Sequence, residues 1–331
     1  MSGRAVKLVI QIPCLNERST LPVTLADLPR QLPGIDRIEL LVVDDGSTDG
    51  TGDVARAHGV HRVVRFPQRR GLARAFDAGL REALAMGADI IVNTDADNQY
   101  VGADVGKLVQ PILDHRADMV VGTRPIDTIP HFSPLKKTLQ RLGSGVVRGL
   151  SSADVPDATS GFRAYSREAA LRLTVVSEFS YTLETLIQAS HKHITIAHVP
   201  IRVNGVLRES RLFRGMGSYI TLSLGTMLRV YLLYRPLHLF LSLAVLFMAG
   251  AIALFGRFLF LYWTTSGQTG HIQSLVVAGV LAVMATLFAS LGVLADLTAM
   301  NRRLLEEIVV HARLLRLGRG GRDGGHDGDP T

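Results

Sequence analysis

Along the first 125 residues, short apolar runs alternate with helical stripes. Leu8–Ile12 is one such run, and Pro13-Cys14-Leu15-Asn16-Glu17 ends it and opens a helix. Arg37–Val43 predicts a second strand, closed by Asp44-Asp45-Gly46-Ser47, where Ser47 or Thr48 is placed to cap a helix running towards His58. Val60–Arg65 predicts a third strand. Leu72, Phe76, Leu80 and Leu84 then recur every fourth residue, the buried stripe of a helix. Ile90-Ile91-Val92 predicts a fourth strand running into Asp95-Ala96-Asp97. Val105, Leu108, Val109 and Ile112 mark another helix, and Met119–Gly122 another strand. Strands alternating with helices predict an α/β fold, a mostly parallel sheet covered on both faces. Ligands of such sheets bind beyond the carboxyl ends of the strands. Each unusual polar cluster lies at such an end.

Beyond Arg124 the alternation stops. Ser133–Leu150 sets Lys136, Lys137, Arg141 and Arg148 among Leu135, Leu139, Leu142, Val146 and Val147, the pattern of a basic amphipathic helix on a membrane surface. Gly215–Tyr234 is similarly apolar with sparse charge. Leu239 to Tyr262 then carries only Arg257, and Ile272 to Ala295 carries no charge. Crossing a bilayer takes roughly 20 apolar residues in helix, so both runs predict spans. The loop Thr264–Gly270 has no Lys or Arg, whereas Arg229 and Arg235 precede the first run and Arg302 and Arg303 follow the second. The positive-inside bias then puts both flanks in the cytoplasm, with Tyr231, Tyr234, Tyr262 and Trp263 at the interfaces. The predicted organisation is a cytosolic domain over 1–214, a juxtamembrane amphipathic helix over 215–236, a hairpin of two spans over 237–299, a cytosolic amphipathic helix over 300–317 and a disordered tail over 318–331. The stripe Leu304, Leu305, Ile308, Val309, Ala312 and Leu315 suits self-association into a homo-oligomer or contact with lipid.

Composition adds little to this pattern. The net charge of +7 arises from 36 Lys+Arg against 29 Asp+Glu, and its placement beside the apolar runs points to membrane lipids, with no nucleic-acid partner expected. The single cysteine, Cys14, excludes an internal disulfide framework and a four-thiolate zinc site, and it fits a reducing compartment. No charged-then-apolar leader opens the sequence.

The chemistry concentrates at the strand ends. Asp95 and Asp97 follow a buried strand, where two carboxylates left unpaired carry a large desolvation cost. A hard cation relieves that cost, and Mg²⁺ or Mn²⁺ on one or two carboxylates typically bridges substrate phosphates. An acid such as Asp44 after the second strand commonly accepts hydrogen bonds from a ribose or base. The glycine fingerprint of a dinucleotide-binding domain and the Walker loop are both missing, so metal and arginines must hold the phosphates.

Pro13…Asn16-Glu17, Val43-Asp44-Asp45-Gly46-Ser47-Thr48-Asp49-Gly50-Thr51 and Asp95-Ala96-Asp97 resemble three blocks of family-two glycosyltransferases, and Asp157-Ala158-Thr159-Ser160-Gly161-Phe162-Arg163 resembles their acceptor-side block. With two spans following, the chain resembles the polyprenyl-phosphate glycosyltransferases. The resemblance implies a GT-A-type nucleotide-sugar-binding domain, followed by amphipathic interface helices and two transmembrane helices. It implies that Pro13, Leu15, Glu17, Val42 and Asp44 contact the nucleoside. Asp95 and Asp97 would bind the diphosphate through Mg²⁺ or Mn²⁺, with Ala96 between them. Gln99 would lie near the donor sugar or metal shell, Arg124 near the diphosphate, and Arg208 and Arg211 against phosphate. Leu15 stands where the family often has tyrosine, and Asn204…Arg208-Glu209-Ser210-Arg211 stands in place of a Gly-x-Ser-Lys segment. Asp97, Arg124 and Asp157 are the implied catalytic residues, Asp157 orienting the acceptor or taking a residual proton.

The implied reaction is inverting transfer of one sugar from a nucleotide-sugar donor to a polyprenyl phosphate acceptor at the cytoplasmic membrane face. A UDP-hexose is the first expectation for the donor and GDP-mannose the second. A processive polysaccharide synthase would also need a Gln-x-x-Arg-Trp motif and more spans, and the only tryptophan, Trp263, sits at a membrane boundary. A non-catalytic membrane scaffold would not need Asp44, Asp95, Asp97 and Arg124 intact.

Overall fold

The structure, a computed structural model, describes residues 5–125, 156–175, 181–205, 232, 236–264 and 272–323. Both expected amphipathic helices (133–150 and 215–234), Arg208, Arg211 and the loop 265–271 lie outside those residues, apart from position 232. The contacts divide the chain into two compact units, Met1–Thr226 with Val309–Thr331, and Met227–Ile308.

The first unit is built on seven strands: β1 (Lys7–Cys14), β2 (Arg37–Asp44), β3 (Arg62–Arg65), β4 (Ile90–Asn93), β5 (Met119–Thr123), β6 (Arg163–Ser166) and β7 (Ile196–Pro200). Their order is β3-β2-β1-β4-β6-β5-β7. Every pairing is parallel except the two made by β6, which runs against β4 and β5. All the parallel strands therefore end on one edge, and β6 begins there.

Period-two alternation explains why both faces are covered. Leu8, Ile10, Ile12, Leu40, Val42, Ile90 and Val92 pack on one side with Leu21 and Leu25 of α1 (Leu21–Asp27), Ala55 of α2 (Thr51–Ala57), and Val105, Leu108 and Val109 of α4 (Val105–Leu113). Val9, Leu41, Val43, Ile91, Met119 and Val121 pack on the other with Phe76, Leu80 and Leu84 of α3 (Leu72–Ala85), Ala169 and Ala170 of α5 (Arg167–Arg172) and Leu186 of α6 (Tyr181–His191). The predicted stripes of α3 and α4 are thus the buried ones.

Two local expectations change. The segment after β1 does not enter a helix at once: β1 continues through Pro13 and Cys14, and α1 starts at Leu21 with a proline in its first turn. Neither Ser47 nor Thr48 caps α2, whose N-cap is Gly50 at φ 86°. Their groups are engaged elsewhere: Ser47 Oγ accepts from Asn16 N at 2.9 Å, and Thr48 N donates to Asn16 Oδ1 at 2.9 Å.

The second unit contains α7 (Pro236–Thr264) and the first part of α8 (Ile272–Asp323). Pro236–Thr264 and Ile272–Arg302 each contain an 18-residue stretch, of mean hydropathy 2.4 and 2.3 respectively, and are long and apolar enough to cross a membrane. Ala244 and Ala251 of α7 and Ala278 and Ala285 of α8 are buried at a spacing of seven, while Leu246, Ile252, Val276 and Val283 around them are exposed. Small residues let the two backbones approach, the usual seam between helices in lipid. Gly292 extends that seam, since a Cβ there would come 3.1 Å from Phe240 Cβ. Unlike the disordered tail expected from 318, α8 runs unbroken to Asp323. Propagating an existing helix adds one hydrogen bond per residue without a new nucleation cost.

Asp104, wholly buried at the start of α4, accepts from Arg202 N at 2.7 Å and Arg202 Nη2 at 2.8 Å, and pairs with Lys107 at 2.9 Å. Burial would raise its pKa, but the Arg202 and Lys107 interactions outweigh burial and lower it to about 2. A depressed carboxyl contributes stability above its unfolded value of about 4, and that contribution disappears as pH falls through the folded value. The melting temperatures of wild type and Asp104→Asn are therefore expected to differ most above about pH 4 and to converge towards pH 2. A constant gap across a thermal-melt pH series would contradict this.

Candidate active site

The strand order reverses direction between β1 and β4, the switch point at which open α/β sheets bind ligands. Three segments meet there. After β1, Glu17 N donates to Thr51 Oγ1 at 2.9 Å and Arg18 N to Asp49 Oδ2 at 3.0 Å, which together with the Asn16 bonds stitches the first polar block to the second. Thr20 Oγ1 donates to Glu17 Oε2 at 2.6 Å and holds that buried carboxylate. After β2, Asp44 Oδ1 accepts from Ser47 N at 2.8 Å. Its Oδ2 has no hydrogen-bond donor among the described residues, with Arg65 Nε 3.4 Å away. Asp45 accepts from Arg70 N at 2.6 Å and Gly71 N at 2.9 Å. Gly46 makes that turn possible: its φ is 73°, and a Cβ would sit 2.6 Å from Arg69 N.

After β4 come Asp95 and Asp97, both partly buried, with Ala96 turned into the core. Burial, then the neighbouring Asp97 charge, pushes Asp95 up to about 7, against the opposing pull of Arg124. Two carboxylates in mutual repulsion are a hard oxygen donor set lacking a cation. They fit Mg²⁺ or Mn²⁺, which takes one or two protein carboxylates and completes its shell from phosphates and water. Among the described residues no group of three or more His, Cys, Asp or Glu side chains forms a fuller ligand set.

Arg124, just past β5, forms a bidentate pair with Asp157: Nε to Oδ2 at 2.7 Å and Nη2 to Oδ1 at 3.0 Å. Thr159 Oγ1 bridges them, accepting from Arg124 Nη2 at 3.0 Å and donating to Asp157 Oδ1 at 2.9 Å. The Asp157 side chain is 1% exposed and the Arg124 side chain 9%. Burial would raise the Asp157 pKa, but the Arg124 hydrogen bonds and charge more than offset it and keep the carboxyl below the ordinary range. Asp157 is thus an ionised partner for Arg124 and a weak proton acceptor.

The rest of the acceptor-side block is held from beneath. Arg163 is fully buried yet donates to the carbonyls of Ala158, Ser160 and Thr182, each at 2.7 Å, and to Thr185 Oγ1 at 2.9 Å. Gly161 passes so close that a Cβ would lie 2.8 Å from Tyr181 Oη and 3.2 Å from both Asp95 carboxylate oxygens. Its carbonyl accepts from Asn93 Nδ2 at 2.8 Å, and its N–H donates to Tyr100 Oη at 3.1 Å. The Tyr100 hydroxyl also acts on the Asp95 carboxylate, opposing the rise in its pKa, and so joins the acceptor-side block to the acidic loop.

Of the residues implied by the resemblance, Glu17, Asp44, Asp95, Asp97, Gln99, Arg124 and Asp157 gather at this edge. Leu15 is partly exposed beside them, Pro13 is buried at the end of β1, and the Val42 side chain packs inside the core. Tyr100, Asn93 and Thr20 were not singled out by the sequence. Asn93 carried a signal nonetheless, a polar residue ending an apolar strand. Cys14 is buried, and burial together with the Glu17 charge raises its thiol pKa well above the usual value, so it is no thiolate nucleophile.

Fold and acidic edge define a nucleotide-sugar transferase domain of the GT-A type. The glycosyl transferase family 2 model matches residues 9–174, and the chain belongs to that family. It is 30% identical over 220 residues to an undecaprenyl-phosphate mannosyltransferase from Micrococcus luteus, an alignment covering 62% of this chain and 87% of the relative. It is 31% identical over 240 residues to a UDP-N-acetylglucosamine–dolichyl-phosphate N-acetylglucosaminyltransferase from Methanococcus voltae, covering 65% and 91%. In fold it is similar to glucosyl-3-phosphoglycerate synthase from Mycobacterium tuberculosis, crystallised with Mn²⁺ and UDP-glucose, at a TM-score of 0.52 and 24% identity over 68% of this chain and 78% of that one.

Removing one member of a buried ion pair strands the other charge at a cost of about 3–5 kcal/mol, whereas replacing both with apolar groups costs far less. Asp157→Ala is expected to lose stability on that scale, and the double variant Arg124→Met/Asp157→Leu to lose less than the single one. Thermal unfolding of the two variants checks this; equal or greater loss in the double variant would contradict it.

Proposed function

We propose that this chain transfers one sugar from a nucleotide-sugar to a polyprenyl monophosphate at the cytoplasmic face of a membrane, with inversion at the anomeric carbon. The Asp95/Asp97 pair carries the reading, because it presents two repelling carboxylates where a nucleoside diphosphate needs a cation. Support for the acceptor comes from the two relatives, one named for undecaprenyl phosphate and one for dolichyl phosphate, and from two helices apolar enough to span a bilayer. The arginines flanking those helices and the uncharged intervening loop support the cytoplasmic face.

In this reading Asp95 and Asp97 hold Mg²⁺ or Mn²⁺, with Gln99 nearby. When bound, the cation supplies Lewis-acid neutralisation of the diphosphate. Asp44 offers its undonated Oδ2 to an N–H or O–H of the nucleoside, with Pro13, Leu15 and Glu17 along the same edge. An oxygen of the lipid phosphate attacks the anomeric carbon while the bond from that carbon to the diphosphate oxygen breaks, its electron pair leaving with the nucleoside diphosphate. Arg124 stabilises the charge that develops there. Asp157 holds Arg124 in place. The lipid phosphate is already ionised near neutral pH, so the step asks for no strong base. Arg208 and Arg211 are assigned to phosphate contacts by the family resemblance. The donor is assigned as a UDP-hexose, with GDP-mannose the alternative; the two relatives are named for different sugars. The same reading divides the chain into a transferase domain to 214, juxtamembrane helix to 236, two spans to 299, and a cytosolic helix beyond.

The test offers purified full-length chain in lipid nanodiscs a panel of nucleotide sugars with polyprenyl phosphate and follows lipid-linked sugar. One donor is expected to give product, chelation to stop it, added Mg²⁺ or Mn²⁺ to restore it, and Asp97→Asn to lower it by about a hundredfold or more. Transfer that is unaffected by chelation and by Asp97→Asn would refute the reading.

A further inference from the structure

The acidic turn is held from two sides. From α1, buried Thr24 Oγ1 donates to Ala96 O at 2.9 Å. From the opposite side comes the stretch after β7, residues 201–204. Asn204 N donates to Gln99 O at 2.8 Å, and Asn204 Nδ2 donates to Asn98 O at 3.1 Å and Tyr100 O at 3.4 Å. Tyr100 and Val203 form an isolated antiparallel bridge, and Val101 N reaches Arg202 O at 3.5 Å. One asparagine thus engages three successive carbonyls of the turn that carries Asp97 and Gln99.

That turn needs external support. Asn98 sits at φ 57°, a left-handed conformation that asparagine tolerates at some cost, and its Oδ1 is buried without a hydrogen-bond partner among the described residues. Asp97 Oδ1 accepts from Gln99 N at 3.0 Å, so a shift of the Gln99 peptide also moves the Asp97 carboxylate. An amide is suited to the task because its NH₂ group donates twice while its backbone N–H donates once more.

We infer that Asn204 is a positioning residue for the cation site: it fixes the Asp97–Tyr100 turn from the stretch of chain that continues, through 206–235, to the first apolar helix. The inference rests on the proposed role of Asp95 and Asp97 and extends it to a residue to which the family resemblance assigns no role. Outer-shell partners of this kind typically alter metal affinity 10- to 100-fold. A second consequence is reciprocal: occupancy of the cation site tightens the 201–204 stretch, so that stretch and the donor site are energetically linked.

The test is Mn²⁺ titration of full-length protein in nanodiscs, with UDP and with GDP in separate series, read from the loss of the free-ion electron paramagnetic resonance signal. Asn204→Ala and the near-isosteric Asn204→Asp, which lacks the NH₂ donors, are both expected to bind Mn²⁺ about tenfold more weakly. Arg202→Met, on the same stretch but paired to Asp104, is expected to lower the melting temperature and leave Mn²⁺ affinity unchanged. Wild-type affinity in both Asn204 variants, with binding lost in Asp97→Asn, would overturn the inference alone. Wild-type affinity in Asp97→Asn would overturn the underlying site reading and the inference with it. Hydrogen exchange of the unsubstituted protein gives a check that needs no variant: the 201–205 amides are expected to exchange more slowly with Mn²⁺ and nucleotide than without, and unchanged exchange would also overturn the inference.

Discussion

Two carboxylates stand at the end of a strand whose apolar residues are buried, and the burial that stabilises the strand makes their charge unfavourable. The rest of the edge is arranged around that tension. Asp95 is raised by burial and by Asp97, while Arg124 acts in the opposite direction and is itself held by Asp157. Gly161 approaches both Asp95 oxygens because it has no side chain, and Asn93 and Tyr100 fix its peptide from either side. The pair concentrates negative charge at this edge, an excess that a divalent cation would relieve.

The same economy appears beneath the acceptor-side block. Arg163 is fully buried with carbonyl and hydroxyl acceptors and fastens Ala158 and Ser160 to the start of α6. Its hydrogen bonds make the loop carrying Asp157 part of the sheet. Arg124 and Asp157 therefore face the acidic turn from a rigid base, as preorganised charge stabilisation requires. The helices of the second unit meet a different solvent: their large apolar side chains are exposed and only their small residues are buried, the inverse of the first unit.

Much of this was legible in the sequence, and the reason is periodicity. Phe76, Leu80 and Leu84, or Leu8, Ile10 and Ile12, announce the element and the face that is buried, and an acidic cluster directly after such a run announces the edge where ligands bind. The family resemblance likewise singled out Asp44, Asp95, Asp97 and Arg124, and the structure brings them to that edge. What periodicity does not record is pairing across long separations. β6 has four residues and inserts between β4 and β5 in the reverse direction, and no local pattern marks it. Ser47 and Thr48 have the chemistry of caps but bond Asn16 in another segment. Tyr100, Arg163 and Asn204 act through hydrogen bonds to partners 61, 19 and up to 106 positions away, which sequence alone does not reveal.

The central claim, that Asp95 and Asp97 share one divalent cation against a nucleoside diphosphate, is most directly tested by anomalous diffraction from crystals grown with Mn²⁺ and nucleoside diphosphate. The account predicts a manganese peak between these two side chains with the diphosphate completing its coordination. A diphosphate bound at this edge with no manganese beside Asp95 and Asp97, or manganese seated elsewhere, would contradict it.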